Sequence, residues 1–171
     1  MIALSTLFWI FVIIFALVGS MRGWSKEMLV TFSLVLGIFV IAVMLQYIPF
    51  MEAYLGEGGD ARQFTVRAVI LAIFAFFGYQ SPRIQRISDV LVKERFRDSA
   101  LGIVIGALNG YFLLGSLLYF LHIFNYPFPF VTPPADDLTN FLAYMPPAWL
   151  TVPAVYFAVA VAFTFVVVVL L

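Results

Sequence analysis

The sequence predicts an all-α integral membrane protein with about five transmembrane helices and one amphipathic helix on the cytoplasmic membrane surface. Of its 171 residues, 64% are hydrophobic and only 11% are charged, whereas about a quarter of the residues in a soluble domain are charged. Aromatic residues make up 18% of the chain and include 20 Phe, which suits helix surfaces that face lipid. Long apolar runs alternate with short polar segments, and about 20 apolar residues cross a bilayer as a helix.

Four apolar runs predict the first four spanning helices, at about residues 2–19, 28–50, 64–79 and 100–124. The polar segment 20–27 separates the first two runs and is predicted to be a short hinge. No basic segment precedes the first run, so we interpret it as a retained helix and not as a cleaved signal. The third run is short, and it either crosses the membrane or enters and leaves on one side.

Arg67 is the only basic residue within an apolar run. Charged residues inside a membrane are functional candidates, because burying them there costs free energy. Arg67 lies close to one end of the third run, however, where a long side chain can extend to the headgroups. The sequence therefore leaves two interpretations of Arg67: a side chain that extends to the headgroups, or a charge with a function inside the membrane.

Residues 82–97 predict a basic amphipathic helix that lies on the membrane surface. Ser81 can cap this helix and Pro82 can occupy its first position, and apolar residues follow at helical spacing. The basic side chains between them are Arg83, Arg86, Lys93, Arg95 and Arg97. Such residues attract the anionic lipids of the cytoplasmic leaflet. A solvated connector between two spans is the alternative.

Closely spaced prolines between residues 125 and 147 predict an irregular extracytoplasmic segment, because proline removes a helical hydrogen bond. We expect one short helix within it, from about Asp136 to Tyr144. The last apolar run, 148–171, predicts a fifth transmembrane helix. The chain is thus predicted to consist of a four-helix membrane domain over residues 1–124, the proline-rich segment and the fifth helix.

The charge distribution predicts how the chain is oriented. Seven of the nine Lys and Arg residues lie in the segments 20–27 and 81–99. Basic residues accumulate in cytoplasmic loops, so both segments are predicted to face the cytoplasm. The amino terminus then lies outside and the carboxyl terminus lies in the cytoplasm.

The sequence shows no recognisable catalytic or metal-binding motif. The chain has no Cys and one His, which excludes thiolate ligands, disulfides, Cys nucleophiles and a multi-His metal site within this chain. Phosphate-binding loops, serine-nucleophile elbows and zinc-helix motifs are also missing from the sequence. We therefore expect no enzymatic activity, no metal, no intrinsic cofactor and no nucleic-acid partner, and we expect membrane lipids and other membrane subunits as partners.

Three glycines share one face of the fourth predicted helix, because Gly102, Gly106 and Gly110 recur at four-residue steps. Small residues let two helix backbones approach closely in lipid. This face therefore packs either against another helix of this chain or against a second membrane protein. Asn109 lies between two of the glycines, and at this depth its amide requires a hydrogen-bond partner. We expect an interhelical bond within the chain.

His122, near the outer end of the fourth predicted helix, is a candidate ligand. A neutral imidazole can bind the metal of a haem or a chlorin. The chain has no second His for a bis-His haem. An interfacial side chain without a ligand is the alternative.

Two stretches carry a family resemblance. Residues 19–27 read GSMRGWSKE, and Asp98 precedes the three glycines at four-residue steps. In this order and spacing they resemble the colicin V production protein (CvpA) family of bacterial inner-membrane proteins, over about residues 1–122. Asn109 stands where the family commonly has Arg. The proline-rich segment and the fifth helix look like an addition.

The resemblance implies a non-enzymatic protein of the bacterial inner membrane that is tied to toxin export and envelope maintenance. We expect a scaffold or accessory subunit that packs through its glycine-rich helix face against a larger inner-membrane complex. One alternative is a cofactor- or pigment-associated subunit of a respiratory or photosynthetic complex, with His122 as the ligand. The other is a small transporter or channel component that uses Arg67 and Asn109.

Overall fold

The computed structural model is helical almost throughout, and the residues that it describes contain no β-strand. These residues are 4–50, 54–55, 59–80, 95–129, 131 and 139–170. The helices are α1 (Leu4–Arg22), α2 (Trp24–Tyr47), α3 (Gly59–Gln80), α4 (Arg95–Ile123), α5 (Thr139–Leu142), α6 (Pro146–Trp149) and α7 (Val152–Leu170). The predicted all-α fold is confirmed.

Four of these helices, α1 to α4, are long and apolar enough to cross a membrane, with mean hydropathies from 1.4 to 2.8. In α7 the described apolar part is shorter and covers Pro153–Thr164. The chain is therefore a multi-pass membrane protein with four spans by length and composition among its described residues. A fifth span at α7 stays a prediction.

Two antiparallel helix pairs form the bundle. Helix α1 runs against α4, with Gly19 beside Gly102 and Val12 beside Gly110. Helix α2 runs against α3 and also contacts α1, α4 and α7. Leu34 of α2 is fully buried in the resulting core, which places α2 at the centre of the bundle.

The hinge between the first two helices is shorter than predicted. Helix α1 continues to Arg22 and α2 begins at Trp24, so Gly23 alone makes the turn. Gly23 has φ +85°, a conformation that glycine adopts without the steric cost that a side chain would bring. The prediction of a polar hinge over 20–27 was wrong, because Arg22 and Glu27 pair with each other inside the bundle, which lets both helices continue into this segment. We call this end of the bundle the hinge end.

Two other helix starts differ from the predicted ones. Helix α3 begins at Gly59 and has 22 residues, because polar residues form its first turns before the apolar run starts. Helix α4 begins at Arg95, so Arg95 and Arg97 lie in its first turn. The rest of the predicted surface helix, with Arg83, Arg86 and Lys93, lies outside the described residues.

The segment after α4 packs back onto the bundle. Within the predicted helix over 136–144, the structure describes α5, which ends at Leu142 and not at Tyr144; residues 136–138 lie outside the described part of the chain. Helix α7 starts at Val152 instead of residue 148, because α6 and a turn at Leu150 precede it. Leu142 and Met145 are buried against α1 and α4. The segment around α5 and α6 therefore covers the end of the bundle that lies opposite the hinge end.

Candidate functional site

A glycine seam, made of Gly19, Gly102, Gly106 and Gly110, joins α1 to α4. A Cβ atom on Gly106 would lie 2.5 Å from the carbonyl oxygen of Phe15 and 2.9 Å from the Cα of Gly19. No side chain fits there, so the two backbones touch. Close backbone approach of this kind supplies packing contacts that stabilise helix pairs in lipid.

The glycine seam corrects one expectation about partners. We expected the glycine-rich face to pack against a larger complex, but α1 of the same chain covers it along Gly102, Gly106 and Gly110. The physical reason is that Gly19 offers α4 a second backbone surface without a side chain. Any partner must therefore contact a different face.

Asp98 fixes the start of α4 to the hinge. The backbone N–H of Trp24 donates to Asp98 Oδ1 at 3.1 Å, and the carboxylate packs directly on Gly23. Trp24 is the first residue of α2, where a negative charge is favourable because the N–H groups of the first turn are unpaired. The Ser99 hydroxyl also donates to the carbonyl oxygen of Ser20 at 3.1 Å. The hinge is thus held by side chains from α4.

A buried polar cluster lies one turn deeper in the bundle, and we define it as Arg22, Glu27, Thr31, Tyr79 and Asn109. Glu27 and Asn109 are both 0% exposed. Arg22 Nε donates to Glu27 Oε1 at 2.7 Å, and Asn109 Nδ2 donates to Glu27 Oε2 at 2.8 Å. Both oxygens of the buried carboxylate are therefore bonded within the chain.

The other members of the buried polar cluster extend these bonds to four helices. The Thr31 hydroxyl donates to Asn109 Oδ1 at 2.7 Å. The Arg22 guanidinium donates to the carbonyl oxygen of Tyr79 at 3.3 Å and lies 4.6 Å from the centre of its ring. The cluster therefore joins the end of α1 to α2, α3 and α4.

This geometry lets a charged side chain stay inside the bundle. An ion pair in a medium of low dielectric constant is tolerated only when further hydrogen bonds satisfy its polar atoms, and Asn109 supplies such a bond to Glu27. The Arg22 side chain is 26% exposed and extends from the hinge end to the buried carboxylate. The arrangement can hold four helices in register, and it binds the carboxylate instead of presenting it to a substrate.

Arg67 lies far from the buried polar cluster. Its guanidinium is 4.4 Å from the ring centre of Phe124, and it donates to Gln63 Oε1 at 3.3 Å. Phe124 follows Asn109 by fifteen residues, about 22 Å along a helix at 1.5 Å per residue. The structure therefore does not bring Arg67 and Asn109 together at one site.

His122 is partly buried at the end of α4. Its Nδ1 lies 3.3 Å from the hydroxyl oxygen of Tyr126, and the two rings meet edge to face. Across the described ranges, no group of three or more His, Asp and Glu side chains could hold a metal ion.

Glu27 is the residue that sequence reasoning missed. The sequence placed it in a polar hinge, whereas the structure places it in the first turn of α2 with its side chain buried. A signal was available, because Glu27, Thr31, Leu34 and Ile38 follow helical spacing and share one buried stripe. Extending the apolar face of α2 backwards by one turn would have brought Glu27 inside.

A comparison with known families matches residues 4–133 to the family described as Colicin V production protein. The chain belongs to this family. The match takes in the hinge, the buried polar cluster and the glycine seam, and it leaves α5, α6 and α7 outside. It confirms the resemblance seen in the sequence. Neither the curated proteins nor the solved structures give a match.

Proposed function

We propose that this chain is a non-enzymatic scaffold or accessory subunit of a larger bacterial inner-membrane complex that acts in toxin export or envelope maintenance. The family description, which refers to colicin V production, supports the link to toxin export. The concentration of basic residues at 20–27 and 81–99 supports an orientation with the hinge end in the cytoplasm.

The buried polar cluster carries this proposal. A ligand site or a transport path needs polar groups that face a cavity, and the polar groups of Glu27, Thr31 and Asn109 bond to one another instead. Their role in the spans is to fix the positions of helices. A bundle whose helices are fixed relative to one another has a surface of constant shape, which suits it to bind another protein.

The surface for a partner must lie away from the glycine seam. Helix α1 carries an exposed stripe of Trp9, Ile13 and Leu17, which are 55%, 59% and 60% exposed. These residues lie four apart and therefore share one face of the helix. We call this face the α1 stripe and expect a partner helix to pack against it.

Isolation from native membranes tests the proposal. The chain would carry an affinity tag, be extracted in a mild detergent and be purified in one step, and the proteins and the absorbance spectrum of the product would be recorded. We expect a larger membrane complex to accompany the chain. A chain that is isolated alone would contradict the proposal, and a haem or chlorin spectrum lost in His122→Ala would support the cofactor-associated subunit instead.

A further inference from the structure

An apolar groove opens on the side of the bundle where α2, α3 and α7 meet. Its volume is about 300 Å³. The walls are formed by Leu29, Ser33 and Leu36 of α2, Phe77 of α3, and Val159 and Phe163 of α7.

The groove presents a hydrocarbon surface to its occupant. The one hydroxyl in the wall, that of Ser33, donates to the carbonyl oxygen of Phe74 and is therefore already bonded. Leu29 and Leu36 are seven residues apart, about 10 Å along α2, while half of the hydrocarbon core of a bilayer is about 15 Å thick. The groove thus has the chemistry and roughly the length to take an acyl chain from one leaflet.

The basic side chain of Lys26 lies at the hinge end of the groove. Lys26 precedes Leu29 by three residues and Ser33 by seven, so it lies on the same face of α2. Its side chain is exposed, and it makes no ion pair or hydrogen bond with any residue that the structure describes. The neighbouring Arg22 is balanced by Glu27, so within the described part of the chain the charge of Lys26 has no counter-charge.

We propose that this groove binds an anionic phospholipid, with an acyl chain along Leu29, Leu36 and Phe163 and with the phosphate of the headgroup paired to Lys26. A lysine near a membrane surface attracts anionic lipid, and its aliphatic stem can lie along the apolar wall while the ammonium group stays at the headgroups. A hydrocarbon groove with a cation at its end that has no partner among the described residues favours an anionic lipid over a zwitterionic one.

Native mass spectrometry of the purified chain tests the site. The protein in mild detergent is titrated with phosphatidylglycerol or with phosphatidylcholine of the same acyl chains, and the bound fraction is measured. We expect wild type to bind phosphatidylglycerol more tightly. Lys26→Ala should weaken the binding of phosphatidylglycerol about five-fold, the factor that corresponds to about 1 kcal/mol for one basic residue, and should leave phosphatidylcholine unchanged.

A second pair of variants tests the groove itself. Leu36 and Leu108 are 38% and 40% exposed, but only Leu36 is among the residues that line the groove. Leu36→Trp should fill the groove and lower the binding of phosphatidylglycerol, whereas Leu108→Trp should bind as wild type does. Equal binding of the two lipids by wild type would overturn the proposal. So would equal binding by the two Trp variants, or a helix of another protein found in the groove in place of lipid.

Discussion

At Glu27 a carboxylate occupies a completely buried position in α2, a helix long and apolar enough to cross a membrane. The two members of its ion pair differ in their access to water, because the Arg22 side chain is 26% exposed and that of Glu27 is 0% exposed. Removing one partner of a buried ion pair is costly mainly when the charge that remains cannot return to water. The two halves of the pair should therefore respond differently to substitution.

Arg22→Gln should destabilise the protein more than Glu27→Gln. The first change leaves the Glu27 charge buried without its cation and should lower the free energy of unfolding by about 3–5 kcal/mol. The second leaves Arg22 free to turn towards the hinge end and should cost about 1–3 kcal/mol. Reversible unfolding in mixed micelles measures both values. Arg62→Gln, which removes an exposed hydrogen bond and a cation–π contact with Tyr54, is the control. Equal losses in the two cluster variants would contradict the asymmetry.

The sequence could predict what Asn109 needs but not where its partner lies. A buried amide at that depth requires an interhelical bond, and the structure contains one. The partner, Glu27, is 82 residues away along the chain, a separation that local periodicity does not reach. Glu27 was placed in the hinge because hydropathy counts a charged residue as the end of an apolar run.

At the scale of helices, the pairing of α1 with α4 depends on the absence of side chains. Gly19 and Gly106 let the backbones meet, and Asp98 fixes the first turn of α4 against the hinge. The four-residue spacing of the glycines predicted a packing face, but spacing alone left open whether that face belonged to this chain or to a partner. Helix ends were the least predictable feature, because the polar first turns of α3 and α4 lie outside the apolar runs.

Gly106→Leu should separate α1 from α4. The new side chain would meet the backbone of α1, which cannot move aside as a side chain could, and overpacking of this kind costs about 1–3 kcal/mol or more. Ala72→Leu adds the same side chain at an exposed position of α3 and should change stability by less than about 0.5 kcal/mol. Thermal unfolding of both variants in one detergent measures the difference. A Gly106→Leu protein as stable as wild type would show that the seam is not a close contact.

At the scale of the whole molecule, the two ends of the bundle have different chemistry. The hinge end carries the buried polar cluster, Lys26 and the start of α4 at Arg95, whereas the opposite end is covered by the aromatic and proline-rich residues around α5 and α6. This asymmetry agrees with the proposed orientation, in which the hinge end faces the cytoplasm.

Single cysteines can test that orientation, because the chain has no Cys of its own. Gln80 lies at the end of α3 beside the hinge, Asn140 lies in α5, and both are exposed. In cells with a permeable outer membrane and an intact inner membrane, a membrane-impermeant maleimide should label Asn140→Cys. It should label Gln80→Cys only after the inner membrane is permeabilised. The opposite pattern would reverse the proposed topology.

The claim that this bundle serves a larger complex is tested most directly by site-specific photo-crosslinking in living cells. A photoreactive residue would replace Ile13 of the α1 stripe, and the same residue at the exposed positions Ile73 of α3 and Val104 of α4 would serve for comparison. The account predicts a discrete adduct with another membrane protein at position 13 and a weaker one, or none, at the other two. Adducts with lipid alone at all three positions, or only with a second copy of this chain, would contradict it.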